Sequence, residues 1–132
     1  MSDVAAVTGL SGPAVGERVR KLEDRGVISG YSARIVPEAL GLGLTALVAV
    51  TLAGPQYRDS FLAGIAQLHG VVECHHVAGD DDYILKAHVA GTSGLEALVS
   101  EGIKSLPGIA RTSTTVVLST ALERPLAPPA EA

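Results

Sequence analysis

The segment Gly79-Asp80-Asp81-Asp82-Tyr83 combines three adjacent carboxylates with a glycine that permits a tight turn. The carboxylates repel one another, so we do not expect all three to be buried. An aspartate beside the free backbone N–H groups of such a turn could bind the ammonium of a small amphoteric ligand, while the N–H groups bind its carboxylate. The alternative is a solvated hairpin turn, which the residues alone favour. Calcium fits less well, because the spacing of an EF-hand loop and its bidentate glutamate are absent.

Cys74, His75 and His76 are adjacent side chains that could act as metal ligands. His75 and His76 are neighbours on a predicted strand, so they project to opposite faces and cannot bind one ion together. Cys74 shares a face with His76, but two ligands are too few for a tetrahedral site. We expect all three to pack in the core or in an interface, and we expect no metal and no cofactor. His69 and His88 have no evident partner.

Sequence patterns of catalytic sites are missing from the chain. It contains no Gly-x-Ser-x-Gly elbow, no phosphate loop and no dinucleotide fingerprint. A small ferredoxin-like enzyme, such as an isomerase or an oxygenase, would need a base in a pocket, and only Asp82 or His75 could supply it. We therefore predict that the protein is not an enzyme.

Residues 8–22 have the pattern of the turn and second helix of a helix-turn-helix. Gly9 can end a short helix in the left-handed conformation, and Ser11 can cap the next helix. Pro13 fits the first turn of that helix, where no backbone N–H is needed. Apolar residues then recur at helical spacing, at Val15, Val19 and Leu22.

The polar side of this second helix could contact DNA. Short residues at its start would allow close approach to a groove, and basic residues further along could reach phosphates or guanine edges. The alternative is an amphipathic helix with a solvated charged face, which the interleaved acidic residues favour. We predict DNA contact by residues off the apolar stripe, namely Ser11, Gly12, Ala14, Glu17, Arg18, Arg20 and Lys21.

After this segment the patterns alternate between strand and helix in the order β-α-β-β-α-β. The junction Leu68-His69-Gly70-Val71-Val72 is echoed by Leu106-Pro107-Gly108-Ile109-Ala110, and each copy ends a helix and starts a strand. Two β-α-β halves of this kind make a ferredoxin-like sandwich, with an antiparallel sheet and both helices on one face. We predict strands at 45–53, 71–78, 83–90 and 109–120, and helices at 57–68 and 92–106.

The predicted fold class is α+β, a partial, winged-helix-like helix-turn-helix followed by the ferredoxin-like sandwich. The first part includes a short helix near residues 3–8 and a connecting strand near residues 27–35. The Pro- and Ala-rich C-terminus is expected to be disordered. We divide the chain into residues 1–34 (helix-turn-helix segment and connecting strand), 35–44 (hinge), 45–120 (ferredoxin-like domain) and 121–132 (tail).

The first strand of the sandwich is apolar on both faces. Val48, Val50 and Leu52 point one way, whereas Leu47 and Ala49 point the other. Helices cover only one face of such a sheet, and two-sided apolar strands need burial on both sides. The simplest cover for the second face is another copy of the same sheet, so we predict a homodimer that assembles further.

Charge and cysteine content restrict the partners of the chain. Residues 1–34 carry five Lys or Arg against four Asp or Glu, and residues 35–132 carry five against ten, within a net charge of −4. An acidic body is a poor nucleic-acid surface, so DNA contact is expected at the N-terminal segment. The single cysteine fits a reducing cytoplasm, and neither a signal peptide nor an apolar run of roughly 18 residues is visible.

Six short segments carry a resemblance to a known family: Gly9-Leu10-Ser11, Glu17-Arg18-Val19-Arg20-Lys21-Leu22-Glu23, Gly26-Val27-Ile28-Ser29-Gly30-Tyr31, Val72-Glu73-Cys74-His75, Gly79-Asp80-Asp81-Asp82-Tyr83-Ile84-Leu85-Lys86 and Leu106-Pro107-Gly108-Ile109. Together they resemble the Lrp/AsnC family, the feast/famine regulators of bacteria and archaea. The match runs from about Ser2 to Leu118. Each segment alone is weakly specific, whereas the combination is highly specific.

The resemblance implies a DNA-binding transcription regulator, located in the cytoplasm with the nucleoid. Its C-terminal domain would oligomerise, commonly to tetramers of dimers, and bind an amino acid or a similar small effector between subunits. In the family the Gly-Asp-x-Asp-Tyr loop and the start of the last strand line the effector pocket. Asp81 departs from that pattern, because relatives often carry an apolar or aromatic residue there. The matching effector residues are Gly79, Asp80, Asp82, Tyr83, Thr114 and Thr115.

The N-terminus also departs from the family pattern. Relatives carry a further helix and turn before the helix-turn-helix, and without them we expect Val15, Val19 and Leu22 to lack full cover. We interpret the chain either as starting downstream of the true first codon or as a shortened regulator. The competing hypothesis is therefore a sensor or assembly module with little DNA binding of its own. Salt-dependent binding to duplex DNA would separate the two hypotheses.

Overall fold

The structure, a computed structural model, describes residues 12–127 of the chain. The chain divides into two compact units, the first ending at Arg34 and the second beginning at Ile35. The helix predicted near residues 3–8 lies outside the described residues, as does Ser11. Within the described range, no helix is long and apolar enough to cross a membrane.

The first unit contains one described helix, α1 (Gly12–Asp24). The apolar stripe predicted for it is confirmed, because Val15, Val19 and Leu22 are all buried. The expectation that these three residues lack cover is therefore wrong. Their spacing places them on one side of the helix, so the folded chain removes all three from water together.

The segment after α1 is not the connecting strand predicted near residues 27–35. The chain turns at Gly26, whose φ is 74°, and the Val27 N–H donates to the Leu22 carbonyl. Residues 29–36 then form neither helix nor strand. Their β-branched and aromatic side chains favour an extended chain, but a strand also needs a neighbour for its backbone groups. Among the described residues, no strand pairs with this segment.

The second unit is built on one antiparallel sheet with strand order β2-β3-β1-β4. Two helices connect the strands, and short 3₁₀ turns precede β1 and the first of these helices. The element order confirms the predicted ferredoxin-like sandwich. The strands are β1 (Leu44–Leu52), β2 (Val71–His76), β3 (Tyr83–Val89) and β4 (Ile109–Val117). The helices are α2 (Arg58–Ile65) and α3 (Thr92–Glu96), which a π-helical stretch, Ala97–Ile103, continues.

The core lies between the helices and one face of the sheet. Val48 pairs with Leu85 and Val50 with Tyr83 across β1 and β3, and all four are buried. Phe61 and Ile65 of α2 and Ile103 pack against them, while Leu68 and Leu106 are partly buried at the edge. The predicted stripe of α2 is confirmed, although the helix itself ends at Ile65.

The second face of the sheet, the open face, has no element packed on it in the described residues. Leu47 and Ile84 are 38% and 36% exposed there. The face is therefore less apolar than the sequence suggested, since polar residues surround a small apolar centre. Its side chains belong to Thr45, Leu47, Ala49, Thr51, Glu73, His75, Ile84, Lys86, His88, Arg111, Ser113, Thr115 and Val117.

The C-terminal segment returns toward the open face. Residues 118–127 form neither helix nor strand. Glu123 nevertheless lies with its carboxylate 3.6 Å from Lys86 Nζ, and the same ammonium lies 3.6 Å from the Glu73 carboxylate. Glu123 therefore has a defined partner on β3, two strands away from the end of β4.

Gly108 is a position where a side chain should be strongly destabilising. Its φ is 79°, and a Cβ there would occupy the space of the Tyr57 ring. Gly41 has a similar φ of 74° but nothing within 4 Å of its Cβ position. We expect Gly108→Ala to lower the free energy of unfolding by about 3 kcal/mol and Gly41→Ala by about 1 kcal/mol. Urea denaturation would measure both, and equal losses would contradict the role of Tyr57.

Candidate functional site

The loop between β2 and β3 is fixed to the end of β1 by Asp82. The Asp82 N–H donates to the Val50 carbonyl at 2.9 Å, and the Val77 N–H donates to the Asp82 carbonyl at 3.0 Å. The Asp82 carboxylate accepts a hydrogen bond from the Leu52 N–H at 2.8 Å. Asp82 therefore holds the loop in place and satisfies the last backbone donor of β1.

Asp81 fixes the other side of the loop. Its Oδ1 accepts hydrogen bonds from the Thr51 hydroxyl at 2.8 Å and from the Arg111 guanidinium at 3.1 Å. The Thr51 hydrogen bond, helped by Arg111, holds the pKa of the Asp81 carboxyl below its usual value. The position at which the chain departs from the family pattern is therefore an anchor between β1 and β4.

Gly79 and Asp80 form the exposed tip of this loop. Asp80 has no hydrogen-bond or ion-pair partner among residues 12–127, in contrast to the two aspartates that follow it. Three adjacent carboxylates thus divide into two that hold the loop and one that is available to a ligand. The expectation that the three are not all buried is confirmed.

Tyr83 lies directly below the loop, on the core side of the sheet. It is 3% exposed and packs against Phe61, with ring centroids 4.9 Å apart. Its hydroxyl is buried and has no hydrogen-bond partner within the described part of the chain. A buried hydroxyl without a partner is energetically costly, so an incoming polar group that reached it would gain affinity.

The stability that Asp81 provides should depend on pH. Because its folded pKa lies below the model value of 3.8, the contribution is full above that pH and is lost as the pH falls through the folded pKa. We expect Asp81→Asn to lower the free energy of unfolding at pH 7, and the deficit to narrow below pH 3.8. Urea denaturation of both proteins across this range measures the difference, and a pH-independent deficit would contradict the assignment.

The helix α1 exposes the charged face that the sequence assigned to DNA. Ala14, Glu17, Arg20 and Lys21 are exposed and Arg18 is partly buried, whereas the burial of Gly12 and all of Ser11 lie outside the description. Lys21 Nζ lies 3.7 Å from the Glu17 carboxylate. One of the three cations is therefore partly neutralised within the helix.

Both parts of the chain match known families. Residues 45–127 match the Lrp/AsnC ligand binding domain, and residues 1–29 match a winged helix-turn-helix DNA-binding family. The chain belongs to the Lrp/AsnC family. Its relatives are transcriptional regulators, so the protein is a regulator of this type and not an enzyme.

Relatives of this Lrp/AsnC protein match along most of its length. The HTH-type transcriptional regulator LrpA of Mycobacterium tuberculosis is 42% identical over 120 residues, which are 91% of this chain and 79% of that protein. The leucine-responsive regulatory protein of Escherichia coli K12 is 39% identical over 112 residues, or 83% and 68% of the two chains.

Solved structures of the family share the fold. A feast or famine regulatory protein from M. tuberculosis, complexed with L-methionine, has a TM-score of 0.77 and 41% identity, and the match covers 97% of this chain and 86% of that one. A transcriptional regulator from Neisseria meningitidis, also complexed with L-methionine, has a TM-score of 0.81 and 26% identity, covering 94% and 81%.

The structure brings some of the residues assigned to the effector together and separates others. Gly79, Asp80 and Asp82 share the loop and Tyr83 follows it directly. Thr114 pairs with Val48 and therefore lies on the helix side of β4, whereas Thr115 pairs with Leu47 and lies on the open face. Alternation along a strand prevents both threonines from lining a single pocket on one face.

The predicted packing role of Cys74, His75 and His76 within the core is wrong, because all three are exposed. Their opposite faces are as predicted, since His75 pairs with Ile84 on the open face and His76 with Tyr83 on the core side. β2 is an edge strand that the helices do not cover, which explains the exposure. An interface role for His75 stays a prediction.

Several polar partners could not be found from the sequence. His88 Nδ1 lies 2.9 Å from the Thr45 hydroxyl, although no partner was evident for it. The His75 Nε2 lies 2.8 Å from the Glu73 carboxylate, and this hydrogen bond contributes most to holding the pKa of Glu73 below its usual value. These pairs depend on strand register, which the sequence alone does not specify.

Proposed function

We propose that the C-terminal unit binds a free amino acid at the loop Gly79–Tyr83 and thereby regulates transcription. One observation carries this proposal: Asp80 is the loop's carboxylate without a partner among the described residues, whereas Asp81 and Asp82 hold the loop. A rigid loop with an available carboxylate suits an ammonium group. The support from relatives is that two similar regulators were solved with L-methionine.

The remaining effector residues have distinct proposed roles. Gly79 permits close approach of the ligand to the backbone, and Asp82 positions the loop through the Leu52 N–H. The unsatisfied Tyr83 hydroxyl offers a polar contact from below. Thr114 and Thr115 face opposite sides of β4, so in a dimer or larger assembly each would meet a different subunit surface.

Asp80→Asn tests the ammonium contact. We expect it to weaken binding of L-methionine about 10-fold or more, because a charge-assisted hydrogen bond is lost at an exposed site. Isothermal titration calorimetry on the full chain measures the change. Asp59→Asn, which removes an exposed carboxylate at the start of α2, is the control and should leave the affinity unchanged. Unchanged affinity in Asp80→Asn would contradict the proposed site.

The proposed assembly is a homodimer formed through the open face, which then associates to an octamer. The exposed apolar centre of that face supports this proposal, because a polar rim around an apolar centre is typical of interfaces. Two copies of α1 would then contact duplex DNA with Ser11, Gly12, Ala14, Glu17, Arg18, Arg20 and Lys21. A regulator of this kind acts in the cytoplasm, associated with the nucleoid.

A further inference from the structure

Arg58 and His76 form a polar pair at the end of the sheet that carries the candidate loop. Arg58 is the first residue of α2, and His76 is the last residue of β2. The Arg58 Nη2 lies 3.3 Å from the His76 Nδ1, and both side chains are exposed. The imidazole in turn stacks on the Tyr83 ring, with centroids 4.9 Å apart and planes inclined by 25°.

The hydrogen bond defines the chemical state of this pair. A guanidinium can donate hydrogen bonds but cannot accept them, so the His76 Nδ1 must be the acceptor. His76 is therefore neutral, with its proton on Nε2. The buried Tyr83 ring fixes the plane of the imidazole, and the imidazole orients the guanidinium. The pair presents only N–H donors to a ligand, which is the requirement of an anion site.

The charge of Arg58 is not neutralised within the described part of the chain. Arg111 donates to Asp81, whereas no carboxylate among residues 12–127 pairs with Arg58. Asp80 is likewise without a partner there. The loop end thus offers an unpaired guanidinium and an unpaired carboxylate, a charge pattern complementary to that of a zwitterion.

We infer that Arg58, oriented by His76, binds the carboxylate of the effector, while Asp80 binds its ammonium. The inference rests on the proposed amino-acid binding and extends it to a ligand class, free amino acids with an unmodified carboxylate. A guanidinium suits this role because its parallel N–H groups match the two oxygens of a carboxylate. Amides of the same amino acids keep the ammonium and the side chain but lose the contact to Arg58.

Calorimetry with L-methionine and L-methioninamide tests the carboxylate contact on the full chain. We expect the wild-type protein to bind L-methionine at least about 10-fold more tightly than the amide. Arg58→Gln should weaken L-methionine binding about 10-fold or more and leave the amide nearly unaffected, so that the two affinities converge. His76→Phe keeps an aromatic ring on Tyr83 but removes the acceptor, and should lower the same ratio by a smaller factor.

Controls separate this inference from the proposed function. Lys104→Gln removes an exposed cation elsewhere in the unit and should change neither affinity. If Arg58→Gln retains the full preference of the wild type for the acid over the amide, the assignment of Arg58 is overturned. A wild-type protein that shows no thermal shift with any of the twenty amino acids would contradict the proposed function itself. If another amino acid shifts it more than L-methionine, the comparison uses that amino acid and its amide.

Discussion

Leu47→Asp is expected to convert the protein from a dimer into a monomer. Leu47 is at the centre of the open face, opposite Lys86 on β3 and Thr115 on β4, and it is 38% exposed. A carboxylate buried there on dimerisation would be without a partner, which costs several kcal/mol. We expect the dimer dissociation constant to rise at least about 1,000-fold, corresponding to roughly 4 kcal/mol.

Loss of the dimer should also weaken DNA binding. Two copies of α1 held in one assembly bind with a high effective concentration, and separating them is expected to lower the apparent affinity by about 100-fold or more. Analytical ultracentrifugation would report the mass of the protein, and a band-shift titration its affinity for duplex DNA.

Leu62→Asp is the matched control for this experiment. Leu62 is 39% exposed, nearly the same as Leu47, but it lies on α2 and not on the open face. We expect this variant to remain a dimer with a similar free energy of unfolding. A monomeric wild-type protein, or equal dissociation in both variants, would contradict the assignment of the open face as the interface.

Neutralising the basic face of α1 should have the second large effect. In a variant carrying Arg18→Gln, Arg20→Gln and Lys21→Gln, each lost phosphate contact lowers the slope of log affinity against log salt by about 0.9. Three lost contacts correspond to a loss on the order of 10²- to 10³-fold at 0.1 M salt. The smallest share should come from Lys21, because Glu17 already lies 3.7 Å from its ammonium.

The control for the α1 variant has the same change in net charge at other positions. Arg58→Gln, Lys104→Gln and Arg124→Gln remove three exposed cations from the second unit. We expect the control to keep the salt slope within about one phosphate contact of the wild type. Equal losses of affinity would show that overall charge, and not α1, determines DNA binding.

The sequence was sufficient to predict the order of the elements in the second unit and their cores. Every strand and helix predicted from residue 44 onward is present, with ends shifted by up to a few residues. Phe61 and Ile65 were assigned to the buried side of α2 from their spacing alone. Such local predictions succeed because side-chain periodicity reflects which face an element buries.

The predictions that needed pairing between distant segments were less successful. Residues 27–35 have the composition of a strand but find no neighbour, and β2 was expected to be buried although it lies at an edge. His88 was left without a partner, yet it contacts Thr45 on the adjacent strand. In each case the missing information was which segments lie side by side.

The sequence by itself determined the family, the alternating order of strands and helices, and the loop that carries three carboxylates. Only the tertiary structure decided which of those carboxylates is available. Thr51 and Arg111 each lie 30 residues from Asp81 in the chain, and strand register alone brings both to its carboxylate. The physical reason is that hydrogen bonding depends on distance in space, and only folding sets the distance between residues so far apart in sequence.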